Sequence, residues 1–320
     1  MGNFGGALSS FGGRITLDDG TFFADNRAEG GSVVAAGGAI TTRISGELFL
    51  DQAEFMRNEA RGGSQTMYVR GGALELSLGK SSIRSSRFVS NAVRTGSAQT
   101  LGGAICQQDG SVVDIVDSSF ARNEALDGPS VGGGAIGMGV GATSTVSTSM
   151  FESNVVDAIG GEAYGGALSV DGNLIVNEGN SFLNNSVSGE SKAAGGAVAV
   201  MQLGQCRFAA HSQATFAQNL VRIPDVVFRS EQGRPPIDFG VCLLAAQAQG
   251  SNPSGGALYS EASGSRVLVH GATFDSNRVL VSLPIPDVPR LCSVTRCRRC
   301  RFRGGAAMVG QSTPPVAPCS

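Results

Sequence analysis

Three thiols near the end of the chain have the residue type and spacing of a metal site. Cys292, Cys297 and Cys300 form C-x4-C-x2-C, with Cys319 available as a fourth sulfur. Thiolates at the corners of a tetrahedron are the ligands of structural zinc. The paired Cys-x-x-Cys knuckles of such sites are incomplete here. The three are therefore weak ligand candidates, and disulfides or a tail without defined structure are the stronger expectation. Arg296, Arg298, Arg299, Arg301 and Arg303 surround them and read as a solvated charge run, with contact to an anionic polymer or lipid as the alternative. Cys106 and Cys206 read as buried thiols. With Cys242 included, the seven cysteines are an odd, irregular set rather than a disulfide framework.

The carboxylates offer a second chemistry. Asp19 and Asp51 stand four residues before Phe23 and Phe55. If the chain coils with that period the two acids are vertical neighbours, a pairing suited to acid–base work or Ca²⁺. Two exposed acids at a turn are more often simply solvated. His211 and His270 are the only histidines. Neither a Ser-His-Asp spacing nor a phosphate loop is present, and the glycine-rich stretch from Gly132 lacks the helix a dinucleotide site needs. No catalytic constellation and no cofactor are expected.

The elements that carry these residues are repeats. Gly-Gly-Ala followed by Ile, Leu or Val begins at Gly5, Gly37, Gly71, Gly102, Gly133, Gly165, Gly195 and Gly255, and Gly-Gly-Ala-Ala at Gly304. Each of the eight is followed by Phe-x-x-Asn: Phe23/Asn26, Phe55/Asn58, Phe88/Asn91, Phe120/Asn123, Phe151/Asn154, Phe182/Asn185, Phe216/Asn219 and Phe274/Asn277. Between the motifs, apolar and polar residues alternate, as at Val113–Val116, with turn signals on either side and no helical period.

About three short strands per repeat, stacked repeat on repeat, give an all-β fold. It is a single-stranded, right-handed parallel β-helix of about eight to nine coils of roughly 31 residues. Each residue then lies above its copy. The phenylalanines become a core stack, and the asparagines a ladder whose amides bond those above and below and the turn backbone. The apolar fourth position of the glycine motif points inward, and strict alternation turns the alanine before it outward. The repeat domain covers residues 1–310, with an insertion at 220–254 and an irregular stretch at 278–303; residues 311–320 form a flexible tail.

These paired motifs resemble the repeats of the chlamydial polymorphic outer membrane proteins, over about residues 5–277. The resemblance implies a β-helical, surface-exposed autotransporter passenger that adheres to host cells. Similar repeats also occur in large proteins of algae and other protists. The C-terminus departs from the family in showing no alternating membrane strands. The N-terminus shows no basic region followed by an apolar run. With the first repeat starting so close to Met1, that is the pattern of a fragment or of a gene that has lost its start. The formal net charge of −2 gives no reason to expect nucleic acid, and no stretch approaches the roughly 20 apolar residues of a spanning helix. The expectation is a non-catalytic surface or extracellular scaffold, adhesin-like, whose partner is a cell-surface protein or glycan. The alternative is a β-helical carbohydrate-active enzyme or carbohydrate-binding module.

Overall fold

A computed structural model describes residues 2–30, 33–201, 203–209, 213–223, 245–246, 256–260, 266–268 and 272–281. The described residues contain strands and no helix. They form a parallel β-solenoid, in which each repeat strand pairs with its copy one coil away. Successive asparagines are 31–34 residues apart until the last step, which is 58.

A coil holds five short strands rather than three. In one coil they are Gln99–Leu101, Ile105–Gln107, Val112–Val116, Ser119–Ala121 and Glu124–Leu126. Their stacks form sheets A to E, of seven, nine, eight, eight and eight strands. The extra corners come from left-handed residues that alternation does not reveal. Arg122 (φ 54°), just before Asn123, is one, and the residue in that place is left-handed in all eight copies. The ladder asparagine itself is not the left-handed residue.

The coil has two cores. Sheets B, C and D enclose the major one, which holds the phenylalanine stack. Sheets A and E enclose a minor one of alanines and valines, among them Val69, Val93 and Val131. Between the cores the chain pinches, and the two sequence motifs meet there. A Cβ on Gly103 would lie 2.7 Å from the backbone of Glu124, the residue after Asn123, and 2.0 Å from the carbonyl oxygen of Gly134 in the next coil. Only a hydrogen fits. Gly102, with φ +74°, turns the chain into this passage. The fixed spacing of the motifs thus measures the path around the major core.

Alanine after the glycines points inward, contrary to strict alternation: Ala104 and Ile105 are both fully buried in the major core. The reason is a bulge. The N–H groups of Ala104 and Ile105 both donate to the carbonyl of Ala135, each at 2.9 Å. Two residues opposing one carbonyl cancel one step of alternation.

Phenylalanine rings stack in one column through Phe23, Phe55, Phe88, Phe120, Phe151, Phe182, Phe216 and Phe274, with centroids 4.7–5.1 Å apart and planes within 10° of parallel. Ring faces in contact lie about 3.5–4 Å apart, so the rings are slipped rather than eclipsed, the favoured arrangement. The asparagine ladder runs from Asn26 to Asn277. Asn123 Nδ2 donates to Asn154 Oδ1 and to the Phe88 carbonyl, while its Oδ1 accepts from the Asn91 N–H and Nδ2, all at 3.0 Å. The ladder survives where the repeat of roughly 31 residues does not. Asn185 and Asn219 are 34 residues apart, yet the N–H and Nδ2 of Asn185 both donate to Asn219 Oδ1 at 3.0 Å. Asn219 in turn reaches across the 58-residue step, donating from its N–H and Nδ2 to Asn277 Oδ1. The column thus continues unbroken across both longer steps. A second, shorter ladder precedes the phenylalanines. The backbone N–H of Ser86, Ser118 and Ser149 each donates to the side-chain oxygen of the copy above, Ser118, Ser149 and Asn180.

The two irregular stretches begin later than 220 and 278. Leu220–Ile223 and Arg278–Val281 pair with each other in sheet E, and Val221 is fully buried in the minor core. Within the long insertion, Ala245–Ala246 adds a ninth strand to sheet B by pairing with Tyr259–Ser260. Residues 224–244, 247–255 and 282–320 lie outside the described residues.

Candidate functional site

The expected chemistry does not assemble at the expected places. Cys292, Cys297, Cys300, Cys242, Cys319, His211 and His270 lie outside the described residues. Among the described residues no group of three or more His, Cys, Asp or Glu is placed to hold a metal. Asp19 and Asp51 are both exposed. Asp19 lies in a turn beyond its strand, and the registered neighbour of Asp51 is Arg84. Cys106 and Cys206 are buried free thiols. Burial pushes both thiols up to about 12, reinforced for Cys106 by Glu75 and opposed by Arg70, Gln108 and Arg43.

The asparagine and phenylalanine columns are scaffold and not part of a site. Asn58, Asn91, Asn123, Asn154, Asn185 and Asn219 are all fully buried, and only the end rungs Asn26 and Asn277 are half-buried. Their amides are also spent on one another and on the backbone. Asn185 Nδ2 donates to the Phe151 carbonyl and Asn219 Nδ2 to the Phe182 carbonyl, each at 3.0 Å, besides the bonds along the ladder. Neither Asn185 nor Asn219 has a group to offer a ligand.

Chemistry gathers instead on the outside of the pinch, in a groove between sheets A and B. Two columns form its floor. The sheet A column reads Phe4, Ala36, Arg70, Leu101, Gly132, Tyr164, Ala194. The sheet B column reads Ser9, Thr41, Glu75, Cys106, Gly137, Ser169, Ala199, Tyr259. Side chains from the two columns touch, so Tyr164, Ala194, Ala199 and Tyr259 form one apolar cluster. Tyr68 stands on the sheet A wall, in register with Val34 and Gln99. The chain has three tyrosines, and all three, Tyr68, Tyr164 and Tyr259, lie in this groove.

Charges follow the aromatics. The Arg43 guanidinium lies 3.9 Å over Phe4 and forms a two-point pair with Glu75, whose side chain is 1% exposed. Arg70 lies 4.6 Å over Tyr68, and Lys192 is 5.0 Å from the Tyr164 ring. The Tyr164 hydroxyl donates to Glu162 at 2.6 Å. A cavity of about 340 Å³ opens between these ends, lined by Tyr68, Arg70, Gln99, Gln108, Tyr164, Ser169 and Asp171 among others.

Exposed apolar side chains flank the groove on both sides, among polar ones such as Asp109. Of twelve exposed large apolar side chains among the described residues, eight fall at or beside the ends of sheet A or sheet B strands. Phe11, Ile44, Leu78, Val140 and Leu203 stand at or after the ends of sheet B strands, and Val33, Met67 and Ile159 just before sheet A strands. Ile44 is 61% exposed at φ 54°, a left-handed conformation that β-branched residues avoid.

A second hollow, of about 440 Å³, lies over sheet E between Arg57, Arg61, Arg94, Glu59 and Asp127. It is larger, but Arg57 is neutralised by Asp25 and Arg94 by Glu59 and Glu124, and no aromatic ring lines it. The groove has both rings and polar groups, the usual makings of a small-ligand site.

These features define a parallel β-solenoid with a lined groove along its side. No family model, no curated protein and no solved structure matches the chain. The resemblance to polymorphic outer membrane protein repeats therefore rests on the motifs alone. Among the described residues no helix is long and apolar enough to cross a membrane.

Proposed function

We propose that the chain is a non-catalytic surface or extracellular scaffold that acts as an adhesin by holding a glycan in the groove between sheets A and B. The observation that carries this reading is the cavity of about 340 Å³ in that groove, lined by Tyr68 and Tyr164 beside Gln99, Gln108 and Ser169. Aromatic faces beside planar amide and carboxylate groups suit sugars, which present apolar ring faces and hydroxyl edges. The apolar side chains flanking the groove add contact area of the kind that marks interaction sites. The repeat motifs' likeness to a family of surface adhesins points the same way.

A carbohydrate microarray probed with the full chain tests it. Tyr68→Ala should weaken retention of any bound glycan, and Phe22→Ala, an exposed ring on sheet D, should not. Equal retention by both variants would place binding elsewhere. A second reading, a carbohydrate-active enzyme, rests on the Tyr164–Glu162 pair, since a phenol held by a carboxylate is an acid–base device. Shortening of an acidic polysaccharide by the wild-type chain, lost in Glu162→Gln, would favour the enzyme.

A further inference from the structure

Gly139 is the least sterically constrained of the glycines that face the groove. One coil presents glycine at three groove-facing positions, Gly132, Gly137 and Gly139. None has a positive φ, so backbone conformation does not demand glycine there. Packing explains two of them. A Cβ on Gly137 would lie 2.3 Å from Leu101 Cγ and 2.8 Å from the Gly102 nitrogen, and one on Gly132 would lie 2.9 Å from Ser169 Oγ. On Gly139 the nearest atom would be the Gln107 carbonyl oxygen at 3.3 Å, a close contact but the mildest of the three. The absence of a side chain there leaves the 340 Å³ cavity open.

Among the described residues, the only cation lining that cavity is Arg70. Its guanidinium carbon lies 4.6 Å over the Tyr68 ring, and among the described residues it makes no ion pair. Stacking spends the face of a guanidinium and leaves its N–H edge for a planar, two-oxygen acceptor. Asp109 and Asp171 also line the cavity, but among the described residues neither forms an ion pair with Arg70; Asp171 Oδ1 accepts the Leu203 N–H at 3.2 Å.

We propose that the cavity seats a carboxylate-bearing sugar, a uronic-acid unit of an oligosaccharide, with the carboxylate on Arg70 and a ring in the gap over Gly139. This deepens the glycan reading of the groove and rests on it. Gln99, Gln108 and Ser169 offer donors and acceptors for the hydroxyls. Methyl esterification of the same sugar removes the charge and keeps the ring, so it isolates the Arg70 contact.

The experiment is calorimetry of the full chain with a panel of uronic-acid oligosaccharides and their methyl esters. The acid form should bind about ten-fold tighter than its ester, the scale of one charge-assisted hydrogen bond. Arg70→Gln should erase that difference and leave ester binding in place. Gly139→Leu should abolish binding of both forms with an unchanged circular dichroism spectrum; if Leu unfolds the coil, Gly139→Ser should weaken both. Equal affinity for acid and ester in the wild type overturns the carboxylate assignment while the groove reading stands. Binding untouched by the Gly139 variants overturns the seat, and no binding to any form overturns both readings.

Discussion

Removing one rung from the middle of the asparagine ladder separates a stack held by its interior from one held by its shape. Asn123 is fully buried and makes four side-chain hydrogen bonds. In Asn123→Ala, three of the former partners keep another bond: Asn91 Nδ2 still reaches the Phe55 carbonyl, Asn154 Oδ1 still accepts the backbone N–H of residue 123, and the Phe88 carbonyl retains its strand partner. The Asn91 N–H keeps none. A buried orphan costs about 1–3 kcal/mol and each weakened bond somewhat less, so a loss of about 3 kcal/mol is expected. Asn26, at the half-buried end, donates to Asn58 Oδ1 and has no asparagine below it. Asn26→Ala therefore orphans no donor and should cost about 1 kcal/mol or less. Urea denaturation of the full chain, comparing midpoints at constant slope, measures the difference. Equal losses from the two variants would refute the ladder account, because only Asn123→Ala leaves a buried N–H, that of Asn91, without a partner.

Three further outcomes follow from buried or strained groups. Gln107 Nε2 is buried without a partner, and its Oε1 takes the Ser144 hydroxyl inside the major core. Gln107→Leu with Ser144→Val removes both polar groups at once and should raise the urea midpoint by the equivalent of about 1–2 kcal/mol; a lower midpoint would show that a water completes the site. Ile44→Asn should stabilise by about 1 kcal/mol by relieving a left-handed β-branched residue, read as a higher midpoint. Cys106 and Cys206, with thiols pushed up to about 12 by burial, should escape alkylation at pH 8 in the native chain and react once it is unfolded, as read by peptide mass spectrometry. The same raised values mean stability that is present below the unfolded thiol value and lost as pH rises above it.

The interior was legible because it repeats. Phe-x-x-Asn announces a ring column and an amide ladder, and both stand where the sequence puts them, from Phe23 to Asn277. The serine ladder was equally legible and was missed: Ser-x-Phe at Ser86, Ser118 and Ser149, with Asn-x-Phe at Asn180, stands two residues before each ring. Ala104 defeated the pattern for a different reason. Its orientation is set by two N–H groups sharing the Ala135 carbonyl, a hydrogen-bond count that a two-residue period does not contain. The five-strand coil escaped likewise, since its corners depend on φ at residues as unlike as Arg122, Ser153 and Gln218. Leu220–Ile223 escaped because nearby prolines drew the insertion boundary too early.

The groove was illegible for a reason built into solenoids. Inner columns must fill one shape in every coil, so Phe88 sits on Phe55 and under Phe120, and the repeat advertises itself. Groove columns carry no such obligation. The sheet A column runs Ala36, Arg70, Leu101, Gly132, Tyr164, Ala194, with no residue type in adjacent coils. Only the coil spacing of about 4.8 Å brings Arg70, Gly139 and Tyr164 around one cavity from places 25 to 94 residues apart. A stretch that breaks the repeat inward, as Gln107 does, weakens the rod, whereas one that breaks it in the groove costs little and changes what the rod presents. Chemistry in such a chain is therefore to be sought where aligned copies of the repeat disagree on an outward column, and here that column runs past Arg70 and Tyr164.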